Sequence, residues 1–400
     1  MPTTCTLYHA ILQQLQDVTA ANAVRASSLV RLSLLVTGIM AAKSCVLNQV
    51  AQEVHALGLT RARSAASIAR RFRRTLNDPQ VTAGLYRPAL RATIDWATLG
   101  QQPCWLVVDE SSQDDRLHLF RVSFPYWGTS VPIAWDLWQQ NVPQPDYWTS
   151  VRGVLDQVAA WLPPQATGIV LADRAYDIPA FIDQLTARHW HWIIRCKARS
   201  ALRFRTHQGD VIPITELLAQ HLPGPGHRFK TRGQVFKAAG WREASLVAVW
   251  AAGQDEPLVV LSDLPPAWRL LRDYARRCWI EPGFRNDKAR GWHWEDAQVQ
   301  GIEHHQRLLL ALAWASLLLL CLGVQAALAD LQPHPQRLLR PDDHPRASLF
   351  TLGLYAVRAW LYQTRLPDLR WHLPDPAAGS WADRWRAVQI RAHLGLPVRP

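Results

Sequence analysis

Three carboxylates in this chain sit where metal-dependent chemistry would need them. Asp109 closes the apolar run Cys104-Trp-Leu-Val-Val, and Asp173 closes Gly168-Ile-Val-Leu-Ala. Glu281 lies in a later run that also carries Tyr274, Arg277 and Lys288. Hard divalent ions such as Mg2+ take carboxylate oxygens rather than Cys or His. Two such ions about 4 Å apart activate an oxygen nucleophile and stabilise the leaving alkoxide in phosphodiester cleavage. Basic side chains around the last acid suit the phosphates of that substrate. Each acid alone has a plainer reading. An Asp at a strand end is often a turn or cap residue, and Glu281 alone is an ordinary helix carboxylate. Glu110 and Asp114 compete with Asp109, and Asp177 competes with Asp173 but reads as the N-cap of the helix that follows.

The acids must be positioned by strands and a packed helix. Trp105 to Val108, Leu117 to Phe124 and Ile133 to Trp138 read as a three-strand meander with a turn at Gly128. A helix fits Tyr147 to Leu162, a buried strand Ile169 to Ala172, a helix Ile178 to Arg188 and a strand Trp190 to Cys196. Three strands followed by helix-strand-helix-strand is the order of an RNase H-like α/β core, a mixed sheet flanked by helices. Residues 198–265 are basic and broken into short β-like runs, which reads as a β-rich insertion facing a polyanion. Leu270 to Ile280 reads as one helix that ends at Glu281.

Residues 1–95 read as a helical domain. A helix at Asn48 to His55, a turn at Gly58, Thr60 as N-cap and a basic helix with Arg70, Arg71, Arg73 and Arg74 suggest a helix-turn-helix DNA reader. The plainer reading is a solvated basic helix. The catalytic domain is then 96–330. A proline-rich linker follows from about 331, with a helix at Ser348 to Gln363 and a tail rich in Pro and Trp.

The 400 residues carry a formal net charge of +12, which favours a polyanionic partner, nucleic acid first. Lys appears only five times, so the basic side chains are mostly Arg, as a GC-rich genome would also produce. Cysteines at 5, 45, 104, 196, 278 and 321 form no C-x-x-C pair and read as free thiols in a reducing cytosol. No charged segment followed by an apolar one opens the chain, so the expected location is cytoplasmic. Leu308 to Val324 is apolar apart from Ser316 and approaches the ~20 residues of a membrane span. A helix buried in a large α/β core explains it better, and no membrane partner is expected.

The motif Tyr274-x2-Arg277-x3-Glu281-x6-Lys288 resembles the signature of DDE transposases of insertion-sequence family four. The flanks Val-Val-Asp109-Glu-Ser and Ala-Asp173-Arg-Ala-Tyr are similar to that family too, as are Ile194-Arg195-Cys-Lys197 and Phe284-Arg-Asn-Asp-Lys288. The resemblance covers about residues 30–330. It implies that Asp109, Asp173 and Glu281 bind two Mg2+ ions, with Mn2+ as a substitute. Tyr274, Arg277 and Lys288 would contact phosphates at the transposon end. It further implies a homodimer that pairs inverted terminal repeats and joins them to target DNA, in a bacterial cytoplasm. In such relatives a Trp of the insertion can receive a flipped base; Trp241 and Trp250 stand in that stretch, though a core role suits either better. The other readings of the chain are an inactive or domesticated DNA-binding regulator and an RNase H-like nuclease. One departure bears on them: Pro282-Gly283 follows the glutamate where the family continues a helix. The helix must kink there or end near Ile280 and restart, which threatens the placement of Glu281.

Overall fold

The computed structural model describes residues 6–22, 24–94, 103–113, 116–140, 146–331, 348–361 and 369–374. The chain opens with helices α1 (Thr6–Thr19), α2 (Ala26–Ala42), α3 (Leu47–Ala56), α4 (Ala65–Leu76) and α5 (Tyr86–Thr93). Thr60 does not cap α4. Ser64 does, its hydroxyl accepting from the Ser67 amide at 3.3 Å.

The apolar runs that follow form β1 (Cys104–Gln113), β2 (Leu117–Tyr126) and β3 (Thr129–Gln139), an antiparallel meander. Trp127 and Gly128, with φ of 41° and 80°, make the β2–β3 turn. Two left-handed residues match the twist of a tight hairpin. After α6 (Tyr147–Trp161) comes β4 (Gly168–Ala172), and after α7 (Pro179–Thr186) comes β5 (His191–Arg195). β4 pairs parallel with both β1 and β5. The order β3-β2-β1-β4-β5 is that of an RNase H-like core, as the element order predicts.

The β-rich stretch that interrupts the core in sequence also lengthens its sheet. It contributes β6 (Arg203–Arg205), β7 (Val211–Pro213), α8 (Ile214–His221), β8 (Arg228–Val235), β9 (Arg242–Val249) and β10 (Leu258–Ser262). β10 pairs antiparallel with β5, and the sheet runs on through β9, β8, β6 and β7 to ten strands. An unpaired β5 edge would leave a row of open amides and carbonyls; β10 closes it.

The helix expected over Leu270 to Ile280 is broken. α9 spans Arg269–Tyr274, a 3-10 stretch covers Ala275–Trp279, and α10 runs Ile280–Asp287. The restart at Ile280 explains how Pro282 is tolerated. In a continuous α-helix its ring would strike the carbonyl four residues back. In α10 it is the third helical residue, where the N–H has no intrahelical acceptor to lose.

α11 (Ile302–Leu331) and α12 (Leu349–Trp360) complete the described chain. α11 is long and apolar enough to cross a membrane by composition. It is instead the central core helix, with 94 % of its most apolar window inside the protein. α2, α4, α5, α12 and β3 pack around it. Its polar residue Ser316 accepts from the Trp292 indole at 2.9 Å, and the Ala313 carbonyl accepts from the Tyr86 hydroxyl. Cys45, Cys104, Cys196 and Cys321 are buried free thiols and Cys278 is half-buried. The linker after 331 and nearly all of the Pro- and Trp-rich tail lie outside the described residues.

Candidate active site

Parallel pairing of β1 with β4 ends at Val107 and Leu171. Two residues further on each side stand Asp109 and Asp173, where the strands part. On β1 the alternation of side chains sends Asp109 to the face covered by the 3-10 stretch and α10. Asp173 leaves β4 and accepts from the Ala175 amide at 2.8 Å, so the plainer capping role is real as well.

Arg277 gathers the three acids. Its Nη2 lies 2.9 Å from Asp109 Oδ2 and 3.7 Å from Asp173 Oδ2, and its Nη1 lies 2.6 Å from Glu281 Oε1. Strand, turn and helix therefore converge on one guanidinium. Across the restart of α10 Arg277 still pairs with Glu281, so Pro282 leaves Glu281 on the same guanidinium as the aspartates. Burial pushes the Asp109 carboxyl up to about 6, opposed by Arg277 and reinforced by the negative charges of Asp173 and Glu281. Burial would lower the Arg277 guanidinium, but Asp109, Asp173 and Glu281 outweigh it and hold the group more firmly protonated than usual.

A second arginine locks α10 in place. Arg121 on β2 stands opposite Asp109 in the ladder, so both face α10. It forms a buried ion pair with Asp287 at the end of that helix, and its guanidinium carbon lies 4.0 Å from the Phe284 ring centre. Gly283 is the price of this close approach: a Cβ there would collide with Ser130 Oγ and crowd the Arg121 guanidinium. The Pro-Gly pair that looked like a defect is thus one residue for a helix start and one for a tight contact.

The competing acids separate on geometry. Glu110 points to the opposite face, where its Oε2 lies 2.5 Å from His118 Nε2 and its Oε1 accepts from the Tyr147 and Tyr176 hydroxyls. Asp177 is not the N-cap of α7, which is Ile178. It accepts from the Lys197 amide at 2.8 Å and the Arg199 guanidinium at 3.0 Å, tying the loop after β4 to the loop after β5. Asp114 lies outside the described residues.

The remaining sequence-derived residues are spread more widely. Tyr274 is buried beside Arg277. Lys288, at the far end of α10, pairs with Glu295 at 3.4 Å. Arg70, Arg71, Arg73 and Arg74 are exposed on α4, which packs on α2, α3 and α11. Arg174 and Arg195 flank the acids and share Glu256 at 3.7 and 2.6 Å. Trp241 is half-buried and lies under the Arg205 guanidinium, whereas half-buried Trp250 packs on the core and donates to the Gln254 carbonyl.

Sequence reasoning missed Arg121, Asp287 and the partners of Glu110. A charge inside the otherwise apolar strand Leu117 to Tyr126 was the available signal for the first pair.

The donor set suits a hard divalent ion, since all three acids offer oxygen and already surround a cation. Among the described residues no three acidic, His or Cys side chains stand at metal-cage spacing. The Arg277 guanidinium lies between the acids. Residues 142–318 match the family model described as the transposase DDE domain. The match includes Asp173 and the whole Tyr274 to Lys288 run and begins after Asp109. No curated protein matches the chain.

Proposed function

We propose that this protein, whose residues 142–318 match the transposase DDE domain, is a transposase that cuts DNA at inverted terminal repeats and joins the freed ends to target DNA. The observation that supports this reading best is the convergence of Asp109, Asp173 and Glu281 on Arg277 from three separate elements. Asp109 and Asp173 would hold one divalent ion and Glu281 the other. Bound there, such ions would activate the attacking water or 3′-hydroxyl and neutralise the leaving oxygen.

The chain's own residues prepare that chemistry. The Arg121–Asp287 pair fixes α10 and with it Glu281. Arg277 draws the acids together and screens their repulsion. Tyr274 and Arg277 on one side of α10 and Lys288 at its far end would meet successive phosphates of the DNA end. The exposed arginines of α4 would grip the terminal repeat as part of a helix-turn-helix. A homodimer would pair the two ends.

The reading is tested by incubating the protein with Mg2+ and labelled DNA carrying the sequence that flanks its gene, with Asp109→Ala alongside. The expected result is cuts at inverted repeats by the native chain, and binding without cuts by the variant. Specific binding without cuts by the native protein would point to a DNA-binding regulator. Cuts without strand joining would point to a nuclease.

A further inference from the structure

Glu110, the neighbour of Asp109, faces away from the three acids. Glu110 is less than one-third exposed, yet its carboxylate is saturated with donors. Tyr147 at the start of α6, Tyr176 in the turn after β4, and His118 on β2 all bond to it. His118 stacks on Trp138 of β3 at 4.6 Å, and Trp138 meets Tyr147 edge-on at 5.9 Å. Tyr176 is 3 % exposed and packs on Phe120 and Phe181. Burial pushes the Glu110 carboxyl up, but the bonds from His118 and the two tyrosines outweigh it and leave it below its ordinary value.

The place of this cluster in the ladder gives it meaning. The last backbone register between β1 and β4 is Val107 with Leu171. Beyond it the acid-bearing ends of the two strands share no main-chain rung. On the face away from Arg277, which bridges Asp109 and Asp173, the 3.1 Å bond from the Tyr176 hydroxyl to Glu110 is a second side-chain link between them. One of its ends is adjacent to Asp109. The other closes the 3-10 turn that Asp173 itself caps.

We propose that Glu110 is a positioning residue: through Tyr176 it sets the separation of Asp109 and Asp173, and so the affinity of their site for divalent ions, while touching neither metal nor DNA. This rests on the three-acid reading above. Outer partners that orient metal-binding carboxylates are worth about 10- to 100-fold in metal affinity. His118 bears on the acid spacing through Glu110, whereas Tyr147 bonds to Glu110 and also reaches the Tyr176 hydroxyl.

The test is Mn2+ binding to the full chain, followed by electron paramagnetic resonance, for the native protein and for Asp109→Ala, Tyr176→Phe, Glu110→Gln and Tyr147→Phe. Tyr176→Phe keeps the ring and removes the hydroxyl that forms the rung. It should raise the Mn2+ dissociation constant about tenfold, with binding to terminal-repeat DNA unchanged. Glu110→Gln keeps an acceptor without charge and should give a smaller rise, which carries the test should Tyr176→Phe fail to fold. Tyr147→Phe should have the smallest effect. If Asp109→Ala loses Mn2+ but Tyr176→Phe and Glu110→Gln bind it as the native chain does, the positioning role is wrong and the three-acid site stands. If the native chain binds no Mn2+, both fall together.

Discussion

Helix α10 is held by an arginine at each end, and the two arginines do different work. Arg121 meets one acid, Asp287, and both side chains are nearly sealed from water, at 3 % and 6 % exposure. Arg277 meets three acids at a site open enough that Glu281 is half exposed. Taken alone, the first group balances to zero charge; the second, with three acids and one guanidinium, carries a formal charge of −2. A charge-balanced buried pair serves as a lock. A surplus of negative oxygen near solvent leaves room for further cations. The contrast separates scaffold from candidate site without reference to any relative.

The largest effect should come from breaking the lock. Arg121→Ala leaves Asp287 buried and unpaired, which should cost about 3–5 kcal/mol. Urea unfolding will read this, and Asp287→Asn should also destabilise strongly. Gly283→Ala should come next, at about 1–3 kcal/mol, because the added methyl must push Ser130 and Arg121 apart. Its thermal midpoint should fall while secondary structure by circular dichroism is kept.

Arg277→Gln should behave differently from either. Removing the shared counter-charge should destabilise the metal-free chain at pH 8 by about 1–2 kcal/mol. Added Mn2+ should then raise the melting temperature of the variant more than that of the native protein, by mass action on a site with one cation fewer. An equal or smaller rise would show that the acids do not act as a cation site.

The smallest effect is in pH. The Asp109 carboxyl titrates near 6 when folded and near its ordinary 3.8 when unfolded. The folded chain therefore holds this proton more tightly. The stability it confers is complete below about pH 4 and is lost as pH rises through 6. Asp109→Asn cannot titrate, so its stability relative to the native chain should increase between pH 4 and 7 by about 1–2 kcal/mol. A flat difference across that range would remove the case for a desolvated Asp109.

Much of this was legible in the sequence, and the reasons differ by element. The strands near Asp109 and Asp173 announced themselves because both faces are covered and their apolar runs are unbroken. The buried helix near 308–324 was clear from its length, and Ser316 waited only for its partner, Trp292. The insertion's strands were visible as short runs, but not their continuation of the core sheet, because a run does not reveal which edge it will pair with. The break before Ile280 was foreseen from Pro282; its consequence was not. Whether a proline displaces Glu281 depends on the contact between Gly283 and Arg121, 162 positions away in the chain. Arg277 was assigned to phosphates from its place in a motif. That it also joins three acids is a distance, and distances of this kind are not written in spacing.

The most direct measurement is anomalous diffraction from crystals of the full chain grown with terminal-repeat DNA and Mn2+. Anomalous peaks are expected about 2.2 Å from carboxylate oxygens of Asp109, Asp173 and Glu281, with the Arg277 guanidinium moved off the acids toward a phosphate. Mn2+ bound elsewhere, with the three acids still closed on Arg277 and the DNA end seated beside them, would contradict the three-acid site.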